Sequence, residues 1–571
     1  MRRMSDRITV GAGSARVVAV LRNPPCPAQR LKYVVEDLTR RNFLVLARAS
    51  ATAGAAGLAA GGCATANARR SASHGASRGS RSASRDGSGV VSGCADMTDS
   101  LTGSPAVSRG SVREAVQGFV SRPDLTPPLI TVHRRGNVPG ARYIFLDAPY
   151  SGPGHGGAVI LDSRGELVWF GPNTAVHHKM DFNVQVFNGE PVLTWWQGEV
   201  IQGHGEGVAV IADSSYRVRH VIRAHNGLMA DLHEFNITPQ GTALITAYRT
   251  HANVDLRVRG GPANGHVLSG VAQEIDIATG ELLFEWDSYS PRHAPVPVWE
   301  TYERVASGWG TSAMPFNYFH INSIAQDADG DLLISSRNTW SVYKVSRKNG
   351  AIVWRLGGKR SDFSMGPGST FFWQHHVRPH GHGTFTVFDN GTTYRETHSR
   401  ALVLHVDTAA MHVRLQKAYI HPGTVILAAT MGSAQALPDG GMFVGWGAAP
   451  RFSQFGADGR LLLDGIMPAY AQSYRAFSRE WTGHPAELPA VAARRGSGGA
   501  VIYASWNGAT DVTSWTVLAG RTATSLSGVG SARRAGFETA IAVRGAGPYF
   551  AVRANDACGR PLATSSPVRI T

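Results

Sequence analysis

One pattern recurs along the middle of this 571-residue chain and limits what it can fold into: an apolar alternation, a turn carrying glycine, and a second apolar run. It occurs at residues 181–196 (turn Asn188-Gly189), 233–248 (Gln240-Gly241), 322–337 (Asp329-Gly330), 375–388 (His382-Gly383) and 432–446 (Asp439-Gly440). Asn-Gly and Asp-Gly between apolar runs are hairpin signals, because tight hairpin turns need positive φ. A companion run follows a glycine at 165–169, 280–284, 350–354 and 459–463. Four-strand units repeated at this spacing predict an all-β fold, a β-propeller, with one strand of every unit lining a central channel. With 66 Gly, 29 Pro and only 17% charged residues, the composition favours turn-rich β structure over helical bundles.

The formal net charge of +15 suggests nucleic acid until it is located. Residues 1–90 hold 15 Lys and Arg against 4 Asp and Glu, so +11 of the total sits there and +4 on everything after. A basic leader is not a basic folded face, and nucleic-acid binding loses its support. Within that leader, Thr39-Arg40-Arg41-Asn42-Phe43-Leu44 reads as a twin-arginine export signal, followed by a mildly apolar run from Ala49 to Gly62. Arg48 interrupts the best candidate span, so no transmembrane helix is expected. Cys63 closes a lipobox-like site, and Ala66-Asn67-Ala68 offers ordinary cleavage, so lipid-anchored and secreted forms are both open.

The expected layout is an export signal at 1–68, a Ser/Arg/Gly-rich linker at 69–95, a propeller at 96–490 and a second β module at 500–571. A polar break at 494–499 separates the last two. The last module, with Trp506, Trp515, Val517, Tyr549, Ala551 and Val552 as its core, resembles a fibronectin type III-like sandwich. In an oxidising compartment the remaining cysteines, Cys94 and Cys558, are expected to pair.

Polar residues cluster on the strand rungs where a β framework does not need them. His233, Asn322 and His375 each lie eight positions before a turn glycine, Gly241, Gly330 and Gly383, so in a propeller they share one rung. His320 stands two residues before Asn322, on the same face by alternation, and Arg337 lies on the outgoing strand of that unit. Neutral imidazole is a competent nucleophile near neutral pH. Arg, Asn and protonated His suit a group that spreads negative charge over three oxygens.

These stretches, Asp231-Leu232-His233-Glu234-Phe235, Phe319-His320-Ile321-Asn322-Ser323, Ile334-Ser335-Ser336-Arg337, Trp354-Arg355-Leu356-Gly357-Gly358-Lys359 and Trp373-Gln374-His375, resemble the arylsulfotransferase family over roughly residues 119–474. The resemblance implies a six-bladed propeller. It also implies ping-pong transfer of a sulfuryl group from an aryl sulfate to a phenol through a sulfated histidine, with no cofactor and no nucleotide sulfate donor. By the same resemblance His375 is the nucleophile, and His233, His320, Asn322 and Arg337 support it. Relatives commonly carry an acidic residue after that histidine; here it is His376.

Two other readings stand beside this one. The first is metal binding at His375, His376, His380 and His382, opposed because adjacent residues on a strand point to opposite faces. The second is a non-catalytic exported propeller that holds an anionic aromatic or glycan at the same mouth. His412 and His421 read as ordinary surface residues.

Overall fold

The computed structural model describes residues 116–571, apart from 139–142, 151, 294, 393–396 and 546. The twin-arginine stretch, Cys63, the 69–95 linker and Cys94 lie outside the described residues; Cys558 lies within them and is exposed.

The fold is all-β: the described elements are strands apart from two single-turn 3-10 helices, Arg257–Arg259 and Val298–Glu300. Six strands form its centre: β1 (His178–Phe187), β2 (Ala230–Ile237), β3 (Ile321–Gln326), β4 (His375–Pro379), β5 (Ser433–Ala436) and β6 (Ala476–Arg479). Each lies against the next, and β6 lies against β1, so the six close into a ring. Antiparallel strands extend outward from each. From β3 the order is Leu332–Ser336, Ser341–Val345, Ile352–Gly357; from β4 it is Thr384–Asp389, Arg400–Asp407, His412–Tyr419. The sets begun by β1 and β2 are joined into one nine-stranded sheet through a single pairing, Gly207 with Ala230.

The five glycine turns read from the sequence each join a ring strand to its outward neighbour, and Asn188 and Gly189 both have positive φ as a tight hairpin requires. Three of the companion runs are the outermost strands Leu167–Pro172, Leu282–Asp287 and Ile352–Gly357; the fourth, Leu461–Ile466, has Thr131–Arg134 paired along its outer side. The sixth set closes differently: β6, from late in the chain, pairs with Tyr143–Ala148 from its start, with Phe145 opposite Phe477. Apolar side chains fill the space between sets, where Trp196, Trp286 and Trp446 are wholly buried. Burying a large apolar side chain contributes about 1.5–3 kcal/mol, so these layers hold the ring rigid.

The C-terminal module starts earlier than expected. Ala490–Gly496 already belongs to it, and 494–499 is a hairpin, with Gly496 opposite Gly499, rather than a break between domains. Polarity there marks an exposed turn. Two sheets pack around Ile502, Trp515, Val517, Ile541, Phe550 and Val552, while Trp506 and Tyr549 are only partly buried. Asn507 docks the module by accepting from Phe170 N–H and donating to Phe170 O, both at 2.9 Å.

Candidate functional site

The ring strands are irregular where the polar residues sit. Pairing slips between Met180 and Asn183 on β1, Ile321 and Ser323 on β3, and His375 and Arg378 on β4. Asp181, His320 and His376 adopt left-handed φ of 56°, 54° and 51°. Such bulges re-aim side chains and suspend strict alternation. His233, His320 and His375 converge on one small cavity of about 50 Å³, together with Tyr150, Thr430 and Tyr474. Asn322, expected on the same face as His320, does not line it; the slip after Ile321 turns it behind β4, where its Nδ2 donates to Gln374 O at 2.6 Å.

Each histidine is buried, and each has its Nδ1 edge tied to the scaffold. On β2, Asp231 precedes His233 by two, the same-face spacing. Its Oδ2 takes the His233 Nδ1 hydrogen at 2.7 Å and also accepts from Thr246 Oγ1 at 2.9 Å. Its Oδ1 accepts from Gly205 N–H at 2.7 Å. Gly205 can approach because it lacks a Cβ, which would meet the Trp196 ring at 2.5 Å. Burial works to raise the Asp231 carboxyl, but the neighbouring His233 and these hydrogen bonds outweigh it and hold it below the usual range.

Asn317 Oδ1 accepts the His320 backbone N–H at 3.0 Å, so its Nδ2 faces His320 Nδ1, 2.9 Å away, and donates to it. Neutral His320 therefore carries its proton on Nε2. Asn390 works the other way round. Its Nδ2 donates to Ala428 O at 2.7 Å and Met431 O at 2.9 Å, which turns Oδ1 onto His375 Nδ1 at 2.7 Å. Trp373 O lies 2.9 Å from the same nitrogen. Nδ1 of His375 must be the donor, and Nε2 keeps its lone pair.

Burial pushes His375 and His320 well below the ordinary histidine value; Arg337 and His233 press both the same way, and the Asn390 contact opposes the shift only for His375. The His233 and His320 rings are 4.8 Å apart. Arg337 stands beside this group. Its backbone N–H donates to His320 O at 2.9 Å, its NH2 donates to Ala429 O at 3.1 Å, and its guanidinium lies 4.7 Å over the Trp373 ring.

His376 points away. Its Nδ1 accepts from Ala434 N–H at 3.3 Å, its ring is 5.5 Å from Phe477, and it lines a different cavity. Among the described residues no group of three or more His, Cys, Asp or Glu is placed to hold a metal ion. His421, read as a surface residue, is buried with Nε2 3.3 Å from Asp464 Oδ2; His412 is exposed. Below the histidines Arg475 fills the channel. It donates to the backbone oxygens of His233 (2.8 Å) and Asn322 (3.1 Å) and pairs with Asp181 and Glu234.

Asp231, Asn317 and Asn390 carry this arrangement, and sequence reasoning gave none of them a role. Asp231 had a legible signal in its i, i+2 spacing to His233; Asn390, on the loop after Thr384–Asp389, had none.

Residues 183–467 match the family model of the arylsulfotransferases (ASST), and over those residues the chain belongs to that family. No curated protein matches. Among solved structures the chain is similar to a Bacteroides caccae protein of unknown function (11% identity, 59% of this chain and 98% of that one, TM-score 0.37). It is also similar to a streptogramin B lyase (10% identity, 61% and 90%, TM-score 0.32). A Lactobacillus plantarum protein matches at 14% identity over 70% of this chain and 98% of that one, with TM-score 0.32.

Proposed function

We propose that this protein moves a sulfuryl group from an aryl sulfate to a phenol by a ping-pong route with His375 as nucleophile. One observation carries the reading: three buried histidines share one cavity with their Nδ1 edges anchored, so their Nε2 edges are left for the substrate. The lone pair on His375 Nε2 attacks sulfur, the S–O(aryl) bond breaks, and the aryl oxygen leaves with a proton from His233, whose imidazolium form Asp231 supports. The acceptor phenol then attacks the N-sulfonated His375 and gives its proton to His233. The N–S bond breaks and its electron pair returns to His375. His320 Nε2–H and the positive charge of Arg337 stabilise the sulfuryl oxygens; Asn322 backs β4. General acid–base help of this kind is worth about 10²–10⁴-fold.

The ring of six strands supports a six-bladed propeller, closed by pairing β6 with the start of the chain, and the two C-terminal sheets support a fibronectin type III-like sandwich. Export through the twin-arginine stretch, with attachment at Cys63 or release, completes the reading.

Incubating the protein with a chromogenic aryl sulfate and no acceptor tests it. One sulfuryl group is expected on the peptide containing His375; His375→Ala abolishes the label and both half-reactions, and His376→Ala retains turnover. Label that survives His375→Ala moves the nucleophile elsewhere. Absence of label and turnover across several donors favours a non-catalytic propeller that binds an anionic aromatic or glycan.

A further inference from the structure

A second cavity, of about 940 Å³, opens at the opposite end of the ring, where the inner strands run into the turns at Asn188-Gly189 and Gln240-Gly241. Pockets of roughly 300–1,000 Å³ are the usual size for small-molecule ligands. The Arg475 layer separates it from the histidine cluster.

Its buried ion pairs leave one cation over. Asp181 Oδ1 pairs with Arg475 at 2.9 Å, and Glu234 is held by Arg378 NH2 at 2.8 Å from both oxygens and by Arg475 at 3.0 Å. Two carboxylates thus meet two guanidiniums. Arg479 is the surplus cation: its Nε donates to Asn183 Oδ1 at 3.2 Å and its guanidinium lies 5.5 Å over the Phe477 ring. Among the described residues it forms no ion pair, and Glu480 stands at the exposed rim. Burial, and then the like charge of Arg378, push Arg479 down to about 10.

His376 packs against the same Phe477 ring, and because its Nδ1 accepts from Ala434 N–H, its proton sits on Nε2. His380 also lines the cavity, with Nε2 2.9 Å from Thr386 Oγ1. A guanidinium without a counter-ion costs free energy that an entering anion would recover, and charge-assisted hydrogen bonds are the strong ones.

We propose that this second cavity binds a small anionic ligand whose charged group is a sulfate, phosphate or carboxylate, held by the Arg479 guanidinium and the His376 Nε2–H. The site is distinct from the transfer site and does not depend on transfer taking place.

The test titrates sodium sulfate, phosphate and acetate separately into the full chain by calorimetry at constant ionic strength, with circular dichroism checking the fold of each variant. At least one anion is expected to saturate the wild type with a Kd at or below about 10 mM. Arg479→Gln should weaken it by about tenfold or more, Arg479→Lys less, and His376→Leu measurably, while His375→Ala leaves it unchanged. Should Arg479→Gln not fold, Arg479→Lys and His376→Leu carry the comparison. The proposal is overturned if none of the three anions saturates, or if binding is lost in His375→Ala and indifferent to Arg479 and His376.

Discussion

Asn390 Oδ1 sits 2.7 Å from Nδ1 of His375, and both Asn390 amide hydrogens are taken up by backbone oxygens, so the histidine can meet it only as a donor. A neutral amide thus fixes the tautomer without adding charge. Asn390→Ala is expected to lower kcat by about 10²-fold through lost orientation, with KM for the aryl sulfate little changed. Asn390→Asp should act through charge: a carboxylate favours imidazolium, so the His375 pKa rises and the acid limb of the pH profile moves toward neutrality. In the wild type that limb should lie well below pH 6.5, since burial lowers His375. Profiles of donor kcat/KM for the three proteins check this, and an unshifted limb in Asn390→Asp sinks the tautomer argument.

Asp231 supports His233 as an acid and base, so Asp231→Asn should slow transfer by about 10²–10⁴-fold. The loss should grow with the basicity of the leaving phenol, because a poor leaving group needs its proton more. A series of substituted phenyl sulfates measures the slope. Equal loss across the series would leave Asp231 a purely structural partner.

The hairpins were legible because Asn188-Gly189, Asp329-Gly330 and Asp439-Gly440 are local signals, written in the residues that need positive φ. Ring closure was not, since Phe145 and Phe477 meet from 332 residues apart and no local pattern encodes that pairing. At the site, eight-residue spacing singled out His233 and His375 and misdirected Asn322. The reason is His320, whose left-handed backbone and the following register slip turn the strand. A bulge there is a tertiary bargain between neighbouring strands. The Asn390 contact to His375 is equally non-local, because it depends on where the loop after Thr384–Asp389 folds back.

Glu234 holds two guanidiniums, Arg378 and Arg475, in the buried layer between the cavities. Removing one partner of a buried charge group usually costs about 3–5 kcal/mol, since it strands the others. Glu234→Gln is therefore expected to destabilise by about that much in urea or guanidinium titrations. A change below about 1 kcal/mol would mean that Asp181 alone balances both arginines.

Folding stability should fall as the solution is acidified below neutrality. His320, His375 and His376 all have folded pKa values well below the ordinary 6.5, burial being the first cause in each case. The unfolded chain takes up their protons as pH drops through about 6.5 and the folded chain does not, so their stability is present above that value and lost beneath it. Three buried carboxylates oppose this. Burial raises Asp147 to about 7 and Asp181 to about 6, and pushes Asp389 up as well, against an ordinary 3.8, so the folded state binds those protons first and gains as pH falls. His204, lowered mainly by its burial, adds to the three histidines. With the histidines the larger group, unfolding takes up protons on balance between about pH 6 and pH 5, each net proton tilting stability by about 1.4 kcal/mol per pH unit. Urea midpoints at about pH 7, 6 and 5 measure the trend. A midpoint that stays level or rises toward pH 5 would mean that the histidines are protonated in the folded protein, and the neutral nucleophile would go with them.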